Sequence, residues 1–413
     1  MPSDPFKGEA VDDLSARKPA KGNRIVVASR LFRPEVAAAS FRLDALAEAL
    51  TESGAHVLVL TSRPPRGAVG ARDRAGVRVS RFPVLRDRDG NVRGYLQYLS
   101  FDIPLFFRLL FARADLVVAE PPPTTGLVVL ISSWLRHRPF AYYAADIWTD
   151  AVASVPGPHN VVRLMRRVEG AVLRRAVVVL AVSDEVAARV REFGADNVSP
   201  VGNGVDTRVF TVNGPAADDS ARYFVYAGTM SEWQGADVFV DALPIVLASA
   251  PGTQLHIFGQ GSELASLRTR AAEVAPGSVH FHGVVSPEET ARWLRSATAS
   301  LVSIKPSLGY DFAKPTKLYA AAACGTPVLF AGEGSGKELV TDGHLGIAVD
   351  YAPDAVAGAM LELVAQQEHG TSAHLRASRA TWASANASLR TVGARAASVV
   401  LSVNFKRREG QKR

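Results

Sequence analysis

The sequence predicts an α/β protein of two doubly wound domains, and three observations carry that prediction. At 413 residues the chain exceeds a single compact core and suits two of ordinary size. Short β-branched runs alternate with helix-period segments along most of it, the pattern of parallel strands covered on both faces by helices. The pattern then restarts after a polar stretch of linker composition, Thr211 to Ser220.

In chain order, a polar leader occupies residues 1–22 and has no apolar run, so it is not read as a signal peptide. Arg24 to Ser29 is β-branched, Val36 to Ser53 has helical period and His56 to Leu60 is apolar again, a βαβ opening. Apolar runs at Val77 to Phe82, Asp115 to Ala119, Phe140 to Tyr143 and Val177 to Val182 complete a first domain over residues 23–208. Six more strands are expected in residues 221–385, at Tyr223 to Ala227, Gln254 to Phe258, Val279 to Phe281, Ala299 to Ile304, Pro327 to Phe330 and Gly346 to Val349. Thr381 to Val403 is Ala-rich and helical, with an interruption expected near Gly393, and a basic tail follows over residues 404–413.

Composition narrows the function. With 47% hydrophobic and 21% charged residues the chain reads as soluble and globular. The apolar segment Tyr98 to Ala112 is broken by Asp102, Pro104 and Arg108, and Leu116 to Leu135 by Glu120 and three prolines; neither spans a bilayer intact. A net charge of +7 favours anionic partners such as nucleotides or lipid phosphates, and nucleic acid is not expected. The excess gathers in the tail and in Arg163 to Arg175, which leaves a solvated face and peripheral membrane contact both open. The single Cys324 excludes an intrachain disulfide and points to the cytoplasm. No His, Cys or carboxylate cluster has metal-ligand spacing, and the turn Asp87 to Asn91 lacks the remaining ligands of a calcium loop; neither metal nor cofactor is expected.

Two places carry chemistry on residue type alone. Tyr223 to Ala227 leads through Gly228 towards a helix near Gly235. Such a turn presents free N–H groups and a positive helix end, suited to a diphosphate, though ordinary βα turns look alike. Asp146 follows the expected fifth strand, where a base for an attacking hydroxyl, an orienting partner and a helix N-cap are all open. His56 reads as a half-buried strand residue. Ser29 to Pro34 has no glycine fingerprint after the first strand, which excludes a dinucleotide oxidoreductase.

The order of motifs resembles the family 4 glycosyltransferases. Ser183 to Phe210, with Asn203-Gly204-Val205-Asp206 before Phe210, is similar to that family's end-of-first-domain signature; Leu255 to Arg268, Val279 to Glu289 and Pro315 to Val349 match later blocks in order. Pro34-Glu35, Arg42, Gly54-Ala55-His56 and Asp146-Ile147-Trp148 look like the branch that builds bacterial surface polysaccharides such as colanic acid and amino-sugar O-antigens. The resemblance covers about Arg24 to Val403. It implies a GT-B fold, with two Rossmann-like domains facing a cleft and residues 386–403 packing back on the first. It also implies transfer with retention from a nucleotide diphosphate sugar, expected to be a UDP-sugar, to a glycan, lipid-linked or small-molecule hydroxyl, without a metal.

By the same resemblance, Asp146 and Lys317 are the catalytic candidates. Gly228, Thr229, Gln234, Gly261, Lys314, Thr316 and Glu338 fall at donor-binding positions, and Glu35 and Arg42 on the acceptor side. Thr229 and Gln234 stand where many relatives carry phosphate-binding cations, so the charge is expected at Lys317, with Lys314 and Lys305 behind it. The family's paired Glu would fall at Phe312 and Ala320, and Asp311 would replace the first if the loop shifts by one residue. Glu338 is read either as a donor contact or as a helix-start carboxylate. Two rivals keep the fold: a degenerate partner subunit, and a sugar-nucleotide 2-epimerase.

Overall fold

A computed structural model describes residues 22–65, 73–87, 90, 92, 94–153, 159–217 and 221–403. The leader to residue 21, the basic tail, most of the turn at Asp87 to Asn91 and the end of the linker therefore lie outside the described residues. The first domain contains strands β1 (Arg24–Ala28), β2 (His56–Ser62), β3 (Val77–Phe82), β4 (Leu116–Ala119), β5 (Phe140–Ala144), β6 (Val178–Ala181) and β7 (Val198–Pro200). Its helices are α1 (Ala38–Glu52), α2 (Tyr95–Phe111), α3 (Pro123–Leu135), α4 (Trp148–Ala153), α5 (His159–Arg175) and α6 (Asp184–Glu192). All strands are parallel, in the order β3-β2-β1-β4-β5-β6-β7. The chain winds outward from β1 in both directions, so the β1–β4 boundary is a switch point where strand ends open.

The second domain repeats the scheme with β8 (Tyr223–Ala227), β9 (Gln254–Phe258), β10 (Val279–Gly283), β11 (Ala299–Ser303), β12 (Val328–Ala331) and β13 (Gly346–Val349), ordered β10-β9-β8-β11-β12-β13. Its helices are α7 (Asp237–Ser249), α8 (Leu264–Val274), α9 (Pro287–Leu294), α10 (Thr316–Ala323), α11 (Ser335–Asp342), α12 (Pro353–Glu368) and α13 (Thr371–His374), with a 3₁₀ turn at Glu232–Gln234. Central strands β4, β5, β6, β11 and β12 are buried at every residue, as expected of parallel strands sandwiched between helices. Two helix starts are chemically marked: Ser183 accepts the Val186 N–H at 3.2 Å and Ser286 the Glu289 N–H at 3.2 Å.

Two expectations about elements need correction. Strand β7 was not anticipated; three residues ending in proline at a sheet edge leave no periodic trace. The C-terminal helix breaks at Ala387–Ser388, between α14 (Arg376–Asn386) and α15 (Leu389–Ser402), and not at Gly393. The break occurs because the backbone there is used elsewhere: Val205 N–H donates to Ala387 O and Leu389 N–H to Val205 O, both at 2.9 Å. Gly393 lies inside α15, where a β-carbon would fall 2.5 Å from the carbonyl oxygen of Ala45 on α1. It is a site of close helix contact. α15 thus crosses back onto the first domain, its Ala396, Ala397 and Val400 sharing a core with Leu43, Leu46 and Leu50 of α1.

Candidate active site

On the second domain, the strand-end turns after β8 and β9 are pressed together. Gly228 N–H donates to Phe258 O at 2.9 Å and Met230 N–H to Gln260 O at 3.0 Å. A β-carbon at Gly259 or Gly261 would lie 2.0 Å from the Gly228 or Met230 carbonyl oxygen, so only glycine permits this approach. Lys317, in the first turn of α10, reaches beneath the first turn. A β-carbon at Gly228 would come within 3.1 Å of its Cε and 3.3 Å of its Nζ.

Lys317 is only 8% exposed, so it is not a solvated surface lysine. Its Nζ sits 3.7 Å from the ring centroid of Tyr226 and has no hydrogen-bond partner. Desolvation lowers its pKa to about 7. Lys317 is thus a buried donor without an acceptor, beneath a glycine turn, and such a group calls for an explanation.

The other donor-side residues divide. Thr229 is exposed and Thr316 half-buried. Gln234, expected at a donor-binding position, is 7% exposed and its Oε1 accepts from Tyr226 Oη at 3.2 Å. Nor does Lys314 stand free, since its Nζ lies 2.7 Å from Glu185 Oε1 of the first domain. Glu338 is exposed in the first turn of α11, and the loop before it is stitched to Asp311, whose carbonyl accepts the Ser335 N–H at 2.9 Å. Asp311 leaves its Oδ1 buried without a hydrogen bond. Phe312 packs against the core of the first domain, and Ala320 is buried within its own domain. The two positions of the missing Glu pair are therefore filled by apolar packing.

Asp146 stands at the end of β5. It is exposed to solvent, while the protein packed around it still desolvates its carboxylate. Desolvation raises its pKa above the ordinary carboxylate value and the charge of Arg42 opposes the rise. It does not cap the following helix. The N–H groups of Trp148 and Thr149 donate instead to Glu169 of α5, at 2.9 and 2.8 Å, and Thr149 Oγ1 does so as well. Glu169 was not anticipated; its signal is one acid in an Arg-rich helix.

Arg42 and Glu35, expected on the acceptor side, are both held by protein partners. Arg42 is 4% exposed, donates to Glu120 Oε1 at 2.7 Å and lies 5.3 Å from the Tyr143 ring centroid. Glu120 also accepts from Ser29 Oγ at 2.9 Å. It too was missed, although a lone carboxylate between an apolar run and three prolines marks it. Glu35 pairs twice with Arg86 at 3.0 Å, while burial raises its pKa. Helix α6 joins the two halves: Arg189 clasps Asp150 of α4 through two 2.7 Å bonds, and Glu185 holds Lys314.

Two facing doubly wound domains, strand-end turns on each and a helix returning to the first define the GT-B class. Residues 38–204 match the family described as Glycosyl transferase 4-like domain, and residues 221–366 that described as Glycosyl transferases group 1. The chain belongs to the family 4 glycosyltransferases. It is 32% identical over 192 residues to a D-inositol 3-phosphate glycosyltransferase of Paenarthrobacter aurescens, covering 42% of this chain and 45% of the relative. To a GDP-mannose-dependent alpha-(1-6)-phosphatidylinositol monomannoside mannosyltransferase of Mycolicibacterium smegmatis it is 30% identical over 171 residues, or 40% and 44%. These matches span less than half the length of either relative. The fold is similar to that of HepE from Anabaena in complex with UDP and glucose, with a TM-score of 0.69 at 18% identity over 92% of this chain and 99% of HepE.

Proposed function

We propose that the protein is a retaining glycosyltransferase that moves a sugar from a nucleotide diphosphate sugar to a hydroxyl of a glycan or lipid-linked acceptor, in polysaccharide or glycoconjugate assembly. The observation that carries this reading is Lys317, buried and unpaired beneath the Gly228 turn. As the bond from the anomeric carbon to the phosphate oxygen breaks, negative charge grows on the leaving diphosphate. A cation held there stabilises it. The acceptor oxygen forms its bond on the same face, and its proton passes to the leaving phosphate oxygen. Asp146 orients that hydroxyl, in keeping with its place at the end of β5 and with Glu169 capping the helix in its stead.

A UDP-sugar is the donor we propose, UDP being the nucleotide in HepE; GDP-mannose, named for relatives, is the alternative. A thermal-shift panel of UDP, GDP, ADP, dTDP and CDP with their sugar conjugates separates them. Ligand at a hundred times its dissociation constant adds about 2.7 kcal/mol. A shift with UDP alone supports the reading, and a shift with another base alone replaces the nucleotide. No shift with any of them overturns it in favour of a degenerate partner subunit, a reading favoured by Phe312 and Ala320 filling the positions of the Glu pair. Interconversion of the donor without acceptor would instead identify an epimerase.

A further inference from the structure

Helices α2 and α3 pack side by side on the first domain, and their solvent face is apolar throughout. Every exposed residue of α2 is hydrophobic or aromatic: Tyr95, Leu96, Leu99, Ile103, Phe107 and Phe111. The last four are four residues apart, a stripe about 18 Å long at 1.5 Å per residue. On α3 the exposed residues are Ile131, Trp134 and Leu135, with Trp134 71% exposed. Arg138 ties the helix ends together, donating to Leu109 O at 2.8 Å and Ala112 O at 3.1 Å. A helix covering a sheet ordinarily turns its polar side to water. Two neighbours that both fail to do so form one contiguous face of a kind that marks an interaction site.

The charge around this face identifies its partner. Helix α5, packed against α3 on the other side, exposes Arg163, Arg166 and Arg167 in one turn and Arg174 and Arg175 in its last. Among the described residues, none of the three helices exposes a carboxylate: Asp102 and Glu169, 2% and 1% exposed, are buried. A second copy of the same face would set arginine near arginine with no acid between them. Apolar and aromatic side chains beside an unopposed row of arginines match instead the interface of an anionic bilayer. No helix of the described residues is long and apolar enough to cross a membrane, so the helices would lie in the interface plane.

We infer that the α2–α3 face, with the α5 arginines, docks the protein on an anionic phospholipid surface. Tyr98 of α2 lies 6.0 Å from Trp148, two residues beyond Asp146, so the bilayer would border the acceptor side of the cleft. That consequence rests on the transferase reading; the docking itself does not.

Cosedimentation of the full chain, without nucleotide, with vesicles of phosphatidylcholine alone or mixed with phosphatidylglycerol tests the inference. Binding to the anionic vesicles is expected to be at least about tenfold stronger and to weaken in high salt. The combined exchange Phe107→Ser, Phe111→Ser and Trp134→Ser should reduce it about tenfold at unchanged melting temperature, and Arg163→Gln with Arg167→Gln should reduce the preference for phosphatidylglycerol. Should the triple variant fail to fold, brominated lipid quenching of tryptophan fluorescence in the wild type, lost in Trp134→Phe, replaces it. Wild-type protein left in the supernatant overturns the inference, as does binding indifferent to lipid charge. A dimer that the triple variant abolishes, without vesicle binding, would assign the face to a second copy.

Discussion

Arg42 and Lys317 are both buried cations near strand ends, one in each domain, and they are opposite cases. Arg42 meets Glu120 at 2.7 Å, with Ser29 completing the carboxylate's partners. Lys317 meets only a ring and a glycine turn. A buried cation satisfied from within is part of the framework, and removing one partner strands the other. A buried cation left unsatisfied weakens the empty protein and gains when an anion arrives. The buried cation of the first domain is therefore satisfied in advance, whereas that of the second is left electrostatically incomplete.

That contrast breaks most visibly at Arg42. Arg42→Ala should destabilise the protein by about 3–5 kcal/mol in urea unfolding, because it leaves Glu120 buried and unpaired. The double change Arg42→Met with Glu120→Leu should recover much of the loss. A single-variant cost below about 1 kcal/mol would mean that the pair is not a framework element. For Lys317→Ala the expected loss falls on turnover, on the order of a hundredfold. Its empty form should melt at the wild-type temperature or above, and unchanged turnover would remove Lys317 from the site.

Acidity sharpens the same comparison. With a folded pKa of about 7 against an unfolded value near 10.4, Lys317 is neutral in the native state and protonated in the unfolded one between those limits. The unfolded state binds more protons there, so the stability of the empty protein should rise with pH across that window, by at most about 1.4 kcal/mol per unit. Nucleotide affinity should move the other way. The anion favours the protonated lysine, binding takes up a proton above pH 7, and the dissociation constant should rise up to about tenfold per unit. Calorimetry in buffers of different ionisation enthalpy reads that proton directly. Equal slopes in wild type and Lys317→Ala would sink the assignment.

The smallest effect is expected at the interdomain pair. Lys314 and Glu185 are 28% and 34% exposed, so Glu185→Gln should cost less than about 1 kcal/mol. Lys314→Ala should weaken nucleotide binding by no more than a few-fold. A hundredfold loss would show that Lys314 leaves Glu185 for the phosphate.

The strand positions were largely legible because parallel strands buried on both faces are unbroken apolar runs. Gly228 was legible as a turn; that it presses against Gly259, with Gly261 against Met230, was not. Gly393 misled, since glycine in a helix signals either a break or a close contact, and only the carbonyl of Ala45 tells which. Glu120 and Glu169 escaped notice because each acts on residues far from it in the chain.

The sequence by itself determined the two-domain α/β architecture, the order of its motifs and the lysines in play, since these depend on local periodicity and residue chemistry. Only the tertiary structure decided which charges are spent and which are free. Pairing depends on distances across the fold: the same lysine chemistry is neutralised by Glu185 at position 314 and stands unpaired beneath Gly228 at position 317.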